Sequence, residues 1–195
     1  MAGFMIVVDM QRDFVMASGA LPVPDAEAIV APMTEWLSAL DPAQTAGVLM
    51  TFDTHVPDVY AGSAEAAQFP IHCVRGTPGW ESVLDTAAIG PEIPVYALEK
   101  GVFDMWEEAG LRVHALRGGE DIDRDRFFQR LADQGVTQVT VVGVAADFCV
   151  RWAAEGLIAR GFDVELPSAL TRGIVQGIEA VAEDLGMRGR VELTA

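Results

Sequence analysis

Hydrophobic residues fall along the chain in two alternating rhythms. Short continuous apolar runs, rich in β-branched residues, give way to longer stretches whose apolar positions recur every three or four residues. The first rhythm marks strands buried on both faces, the second amphipathic helices. FMIVV (4–8) predicts a first strand, and AEAIVAPMTEWLSAL (26–40) a helix with Asp25 as its N-cap. GVLMTF (47–52) and PVYAL (94–98) predict strands two and three. DRDRFFQRLADQG (123–135) reads as an amphipathic helix stopped by glycine, and TQVTVVGV (137–144) as strand four. A helix follows from about Phe148 to Arg160, then FDVEL (162–166), a helix near 174–186, and RVEL (190–193).

Strands alternating with helices imply right-handed crossovers and a mostly parallel sheet. The expected fold is a three-layer, Rossmann-like α/β domain over residues 1–195, with six strands and helices on both faces. Ligands of such sheets bind beyond the carboxyl ends of the strands. Asp9 follows strand one, Asp53 follows strand two, Lys100 lies just past strand three and Cys149 just past strand four. A single polar residue after a strand is ordinarily a turn residue. Four reactive side chains on one sheet edge make a candidate site.

Composition narrows the partners. The net charge is −16, from 29 acidic and 13 basic residues, which disfavours nucleic acid and anionic lipid. No apolar run approaches the roughly 18 residues of a membrane span. The N-terminal apolar run has no basic residue before it and stops at Asp9, so the expected location is the cytoplasm without a signal peptide. Two cysteines make no disulfide framework. Lys100 is the only lysine beside twelve arginines.

A helix starting near Phe148 would place Cys149 in its first turn, where free N–H groups and the helix dipole favour thiolate. The plainer alternative is an inert packed cysteine. As a nucleophile, Cys149 would attack a carbonyl and form a thioester. Asp9 would take and return the proton, and Lys100 would hold the ion cluster together. Backbone N–H groups of residues 145–149 would meet the oxyanion.

The segment DTHVPDVYAGSAEAAQFPIHC holds a second candidate set. Asp53 and His55 are two apart, so on an extended end both face one way. His72 returns after an excursion, with Glu65 seven residues before it. These oxygen and imidazole ligands suit one divalent metal ion, zinc first, with manganese or iron as alternatives. The competing reading is a polar loop whose histidines pair or cap. Asp58 is a spare carboxylate, Cys73 reads as packed, and His114 suggests no mechanism.

Taken together, IVVDMQRDFV, DTH…FPIHCVRGTPGWE, EKGVFD and GVAADFCVRWAAEGLIARGFDVEL resemble the isochorismatase-like cysteine hydrolases, and within them the nicotinamidases. The resemblance runs over almost the whole chain. It implies a catalytic triad of Asp9, Lys100 and Cys149, and a metal on Asp53, His55 and His72 with Glu65 as a further ligand. It also implies a cis Val144–Ala145 bond that aims the Ala145 and Cys149 N–H groups into an oxyanion hole. Phe14 matches an aromatic of the substrate pocket, and Phe103, three residues past Lys100, is a second candidate. Thr54 stands where nicotinamidases often have tryptophan, GVFDMWEE lacks their serine- and aromatic-rich run, and 109–123 reads as an insertion near the pocket mouth. The implied reaction is hydrolysis of a small amide, nicotinamide first; separately, a parallel α/β domain with an active-site edge is expected to assemble as a homo-oligomer. An N-carbamoyl or ureido compound is the alternative substrate, and a metal-stabilised scaffold without turnover the alternative class.

Overall fold

The computed structural model describes residues 2–186 and 191–194. Its centre is a sheet of nine strands: β1 (Gly3–Val8), β2 (Thr45–Asp53), β3 (Val95–Lys100), β4 (Arg112–Ala115), β5 (Ile122–Asp123), β6 (Gln138–Val144), β7 (Asp163–Pro167), β8 (Thr171–Arg172) and β9 (Val191–Thr194). The order across it is β5-β4-β3-β2-β1-β6-β7-β9, with β8 pairing to β6. All pairings are parallel except β3–β4 and β4–β5. The helices are α1 (Arg12–Val15), α2 (Val30–Ser38), α3 (Pro57–Tyr60), α4 (Arg124–Asp133), α5 (Arg151–Ala159) and α6 (Ile178–Gly186).

Strand parity sorts the core into two layers. Phe4, Ile6 and Val8 of β1 join Val139 and Val141 of β6 on one face, under Phe127, Phe128, Leu157 and Val181 of α4, α5 and α6. Val7, Met50 and Val142 point the other way, under Phe14, Met33 and Leu37 of α1 and α2. Burial on both faces is why the central strands read as unbroken apolar runs. None of the described helices is long and apolar enough to cross a membrane.

Several expectations are corrected. The sheet has nine strands rather than six. The additions are β8, two residues long, and the short antiparallel β4 and β5, which carry too little apolar periodicity to stand out. Residues 109–123 are therefore not wholly a feature of the pocket mouth. β4 runs against β3 with Tyr96 opposite Ala115, so the turn after Ala115 lies at the far end of β3 from Lys100. His114, for which the sequence suggested no role, pairs with Asp121 across this turn at 2.8 Å. Asp25 is not a side-chain N-cap. It sits at φ 57° and its carboxylate makes no cap bond, because a 3₁₀ turn, Ala26–Ile29, precedes α2. Asp123 does cap α4, accepting the Arg126 N–H at 3.1 Å. The last strand begins at Val191; Arg190, expected to start it, lies outside the described residues.

Gly143 in β6 shows how closely the central strands approach. It has φ +116°, and a Cβ there would lie 2.2 Å from the Val8 carbonyl oxygen. Both the conformation and the space call for glycine. Gly143→Ala is expected to lower unfolding stability by more than about 1 kcal/mol, read from the urea midpoint.

Candidate active site

Four adjacent strands deliver the site. β3, β2, β1 and β6 lie side by side, and β1 is flanked by chains that wind away in opposite directions, the crevice where such sheets bind ligands. Asp53 and Lys100 end β2 and β3 and are Cα partners. Asp9 follows β1 at φ +48°, and its N–H reaches Thr51. Cys149 follows β6 in an irregular turn, Ala146–Val150.

Lys100 is the hub. It is 2 % exposed, and its Nζ lies 2.8 Å from Asp9 Oδ2, 3.3 Å from Asp53 Oδ1 and 3.4 Å from Cys149 Sγ. Burial alone would push the amine toward neutrality, but the charges of Asp53 and Asp9 outweigh it and hold Lys100 as ammonium. The three residues expected to act together thus meet in a buried cluster.

The thiol differs from expectation. α5 begins only at Arg151, so Cys149 lies before the helix rather than in its first turn. Burial pushes the Cys149 thiol well above its ordinary value; Lys100 pulls against it, while Asp9 and Asp53 push with it. The resting group is a neutral thiol beside a carboxylate. The Val144–Ala145 bond is cis, as the resemblance implied, and the Ala145 carbonyl accepts the Phe148 and Val150 N–H groups at 3.1 Å.

Beside this cluster the four metal candidates converge, all buried, with their ligand atoms within 4.8 Å of one another. Nε2 of His55 and Nε2 of His72 each lie 3.1 Å from Asp53 Oδ2. Glu65 Oε1 lies 3.6 Å from the first and 3.2 Å from the second, and among the described residues it finds no well-formed hydrogen bond. Tetrahedral ligands on bonds of about 2.0–2.2 Å stand roughly 3.4 Å apart, so the spacing and the orphaned oxygen both fit a divalent ion. His72 Nδ1 donates to the Pro70 carbonyl at 2.8 Å, which leaves Nε2 as the ligating nitrogen. Burial pulls the His72 imidazole down, but Asp53 and Glu65 lift it to about 10. The same balance lifts His55 to about 9. Burial raises Asp53, yet Lys100 and the two histidines draw it well below the usual carboxylate range.

Other side chains hold this frame, and the sequence alone suggested no such role for them. Gln11 is fully buried; its Oε1 accepts the Asp53 N–H and its Nε2 donates to the Asp53 carbonyl, both at 2.8 Å. Asp147 accepts three N–H groups, from Ile174, Val175 and Gln176, and ties that loop to the cysteine turn. Thr54 takes a hydrogen bond from the Trp80 indole at 2.9 Å. Polar residues placed next to motif positions were the only sequence signal for these.

The two pocket aromatics part company. Phe14 packs against His72, ring centroids 5.0 Å apart. Phe103 instead forms a trio with Phe69 and Phe148, at 5.4–5.7 Å. Phe69 lies three residues before His72, and Phe148 directly before Cys149, so the trio ties together the segments carrying the metal candidates, Lys100 and the thiol. A cavity of about 400 Å³ opens between Glu65, Phe103 and Trp152.

A family model described as the isochorismatase domain matches residues 4–174. The chain belongs to the isochorismatase family. Among relatives, the nicotinamidase/pyrazinamidase of Mycobacterium tuberculosis is 31% identical over 196 residues, covering 97% of this chain and 96% of that protein. This places the chain on the nicotinamidase-like branch of the isochorismatase family. The pyrazinamidase of Pyrococcus horikoshii, solved in complex with zinc, superposes with a TM-score of 0.75 at 28% identity, over 100% of this chain and 99% of that one. PnC1 from L. infantum, solved in complex with nicotinate, gives 0.71 at 25% identity, over 99% and 92%.

The charge balance at the thiol has a measurable consequence. Asp9→Asn removes a charge that opposes thiolate and leaves Lys100, which favours it. Alkylation of Cys149 by iodoacetamide at about pH 8 is expected to be faster in Asp9→Asn than in the parent, and slower in Lys100→Met. Mass spectrometry of the Cys149 peptide gives both rates.

Proposed function

We propose that this protein is a metal-containing cysteine amidohydrolase that converts nicotinamide and water to nicotinate and ammonia. The observation that carries this reading is the shared ion cluster. One buried ammonium touches Asp9 and the Cys149 sulfur on one side and the metal-ligand candidate Asp53 on the other. The named relatives act on, or were solved with, molecules of this kind.

The residues then divide the work. The Cys149 sulfur forms a bond to the amide carbon while its proton passes to Asp9. The carbonyl electron pair moves onto oxygen, where the N–H groups of Ala145 and Cys149 receive it. As the carbon–nitrogen bond breaks, Asp9 returns the proton to nitrogen and ammonia leaves. Water attacks the thioester with its proton drawn to Asp9, and the sulfur regains a proton as nicotinate departs. Lys100 stays charged throughout and holds Asp9 and Cys149 in register. Phe103, which lines the cavity beside Glu65, walls the pyridine ring, while Phe14 packs against His72. Asp53, His55, Glu65 and His72 would hold a divalent ion, zinc first; bound there, it supplies a Lewis-acidic docking point for the ring nitrogen.

Ammonia release from nicotinamide tests the reading directly. Cys149→Ala is expected to lose at least about a thousandfold in kcat/KM, and residual turnover at the parent rate would remove the nucleophile. Release only from N-carbamoyl or ureido compounds would move the substrate assignment.

Metal binding should be linked to pH. Without an ion, both histidines carry protons at pH 7, since their values lie near 9 and 10. An ion must displace those protons, so its affinity weakens as pH falls. About two protons should be released per zinc bound near pH 7, measured calorimetrically in buffers of different ionisation enthalpy. Chelation should abolish turnover and zinc should restore it.

A further inference from the structure

The proposed base, Asp9, has two carboxylate oxygens, and their surroundings differ. Oδ1 accepts the Thr51 hydroxyl at 2.6 Å. Oδ2 lies 2.8 Å from the Lys100 ammonium as an ion-pair contact, but among the described residues no group makes a well-formed hydrogen bond to it. Thr51 is itself held by the residue it serves. The Asp9 N–H reaches the Thr51 Oγ1 at 3.2 Å and the Thr51 carbonyl at 3.3 Å. A hydroxyl has one hydrogen, and here it is committed to Oδ1. Both residues are sealed from solvent, Asp9 at 0% and Thr51 at 2% exposure. Thr51 sits in the otherwise apolar run GVLMTF of β2, two residues before Asp53 and on the same face.

We propose that Thr51 is a positioning residue for the amidase reaction: its hydroxyl occupies Asp9 Oδ1, fixes the carboxylate's rotation, and leaves Oδ2, beside Lys100, as the oxygen that takes and returns the Cys149 proton. This rests on the reading of Asp9 as the base. Without the hydroxyl, Oδ1 has no partner from Thr51, and the carboxylate can turn to offer either oxygen to the ammonium. Proton transfer then loses its fixed geometry while the substrate pocket stays as it was.

The test compares Thr51→Val, which keeps the branched shape and removes the hydroxyl, with Thr51→Ser, which keeps the hydroxyl. Nicotinamide turnover is measured on zinc-loaded protein, with zinc content determined for each variant because Asp53 is close. Thr51→Val should lose at least about tenfold in kcat with KM within about twofold, and Thr51→Ser should recover most of the rate. A parent-like kcat in Thr51→Val, or a serine variant as slow as valine with its zinc retained, would overturn the proposal. If Thr51→Val fails to fold, Thr51→Ser against Thr51→Cys decides. The thiol is a weak donor, so equal rates in that pair overturn the role and a clearly faster serine supports it. Asp9→Asn is measured alongside: a parent-like rate there would overturn the base assignment itself, whereas a dead Asp9→Asn with an unaffected Thr51→Val would sink only the positioning role.

Discussion

Everything in the site depends on one buried ammonium. Lys100 lies out of solvent against two carboxylates and a thiol, and it keeps its charge because they surround it. Removing it would leave Asp9 buried with no cation beside it and take from Asp53 one of its positive neighbours, a costly change in a core. The neighbouring tetrad shares in the same charge balance. Asp9, Asp53 and Glu65 carry three negative charges and Lys100 one positive. Two more positive charges bring the cluster to neutrality. Two protonated imidazoles or one divalent ion supply the same number. That equivalence is why an ion should displace protons from His55 and His72 rather than add to them.

Topology makes the cluster possible. Each of four neighbouring parallel strands contributes one residue at its carboxyl end, and the register places Asp53 opposite Lys100. Parallel strands put such ends on a common rim, and the change of winding direction around β1 opens the rim to a ligand. Gly143 lets β6 approach β1 closely enough for the cysteine turn to join it. A backbone position that calls for glycine therefore lies just before the turn that carries the thiol.

Much of this was legible in the chain. Asp9, Asp53, Lys100 and Cys149 each follow or end an unmistakable apolar run, and the parallel-sheet rule brings such ends together. Glu65 and His72 could be picked out by residue type but not placed, because no periodicity governs a loop of that length; the resemblance gave them a common site. The edge hairpin was misjudged because β4 buries only Val113 and β5 is two residues long. Thr51 was invisible for another reason. Threonine is common in strands, and nothing in GVLMTF marks a hydroxyl that bonds 42 residues away. The state of the thiol was also out of reach, since it depends on burial and on three neighbouring charges rather than on its place along a helix.

The central claim is energetic: the ammonium is held by the carboxylates, and they by it. A double-mutant cycle on Lys100 and Asp9 measures this most directly, with urea unfolding of the parent, Lys100→Met, Asp9→Asn and the double variant. The account predicts that Lys100→Met alone costs about 3–5 kcal/mol and that the double variant costs clearly less than the two single changes added together. Strict additivity would contradict it.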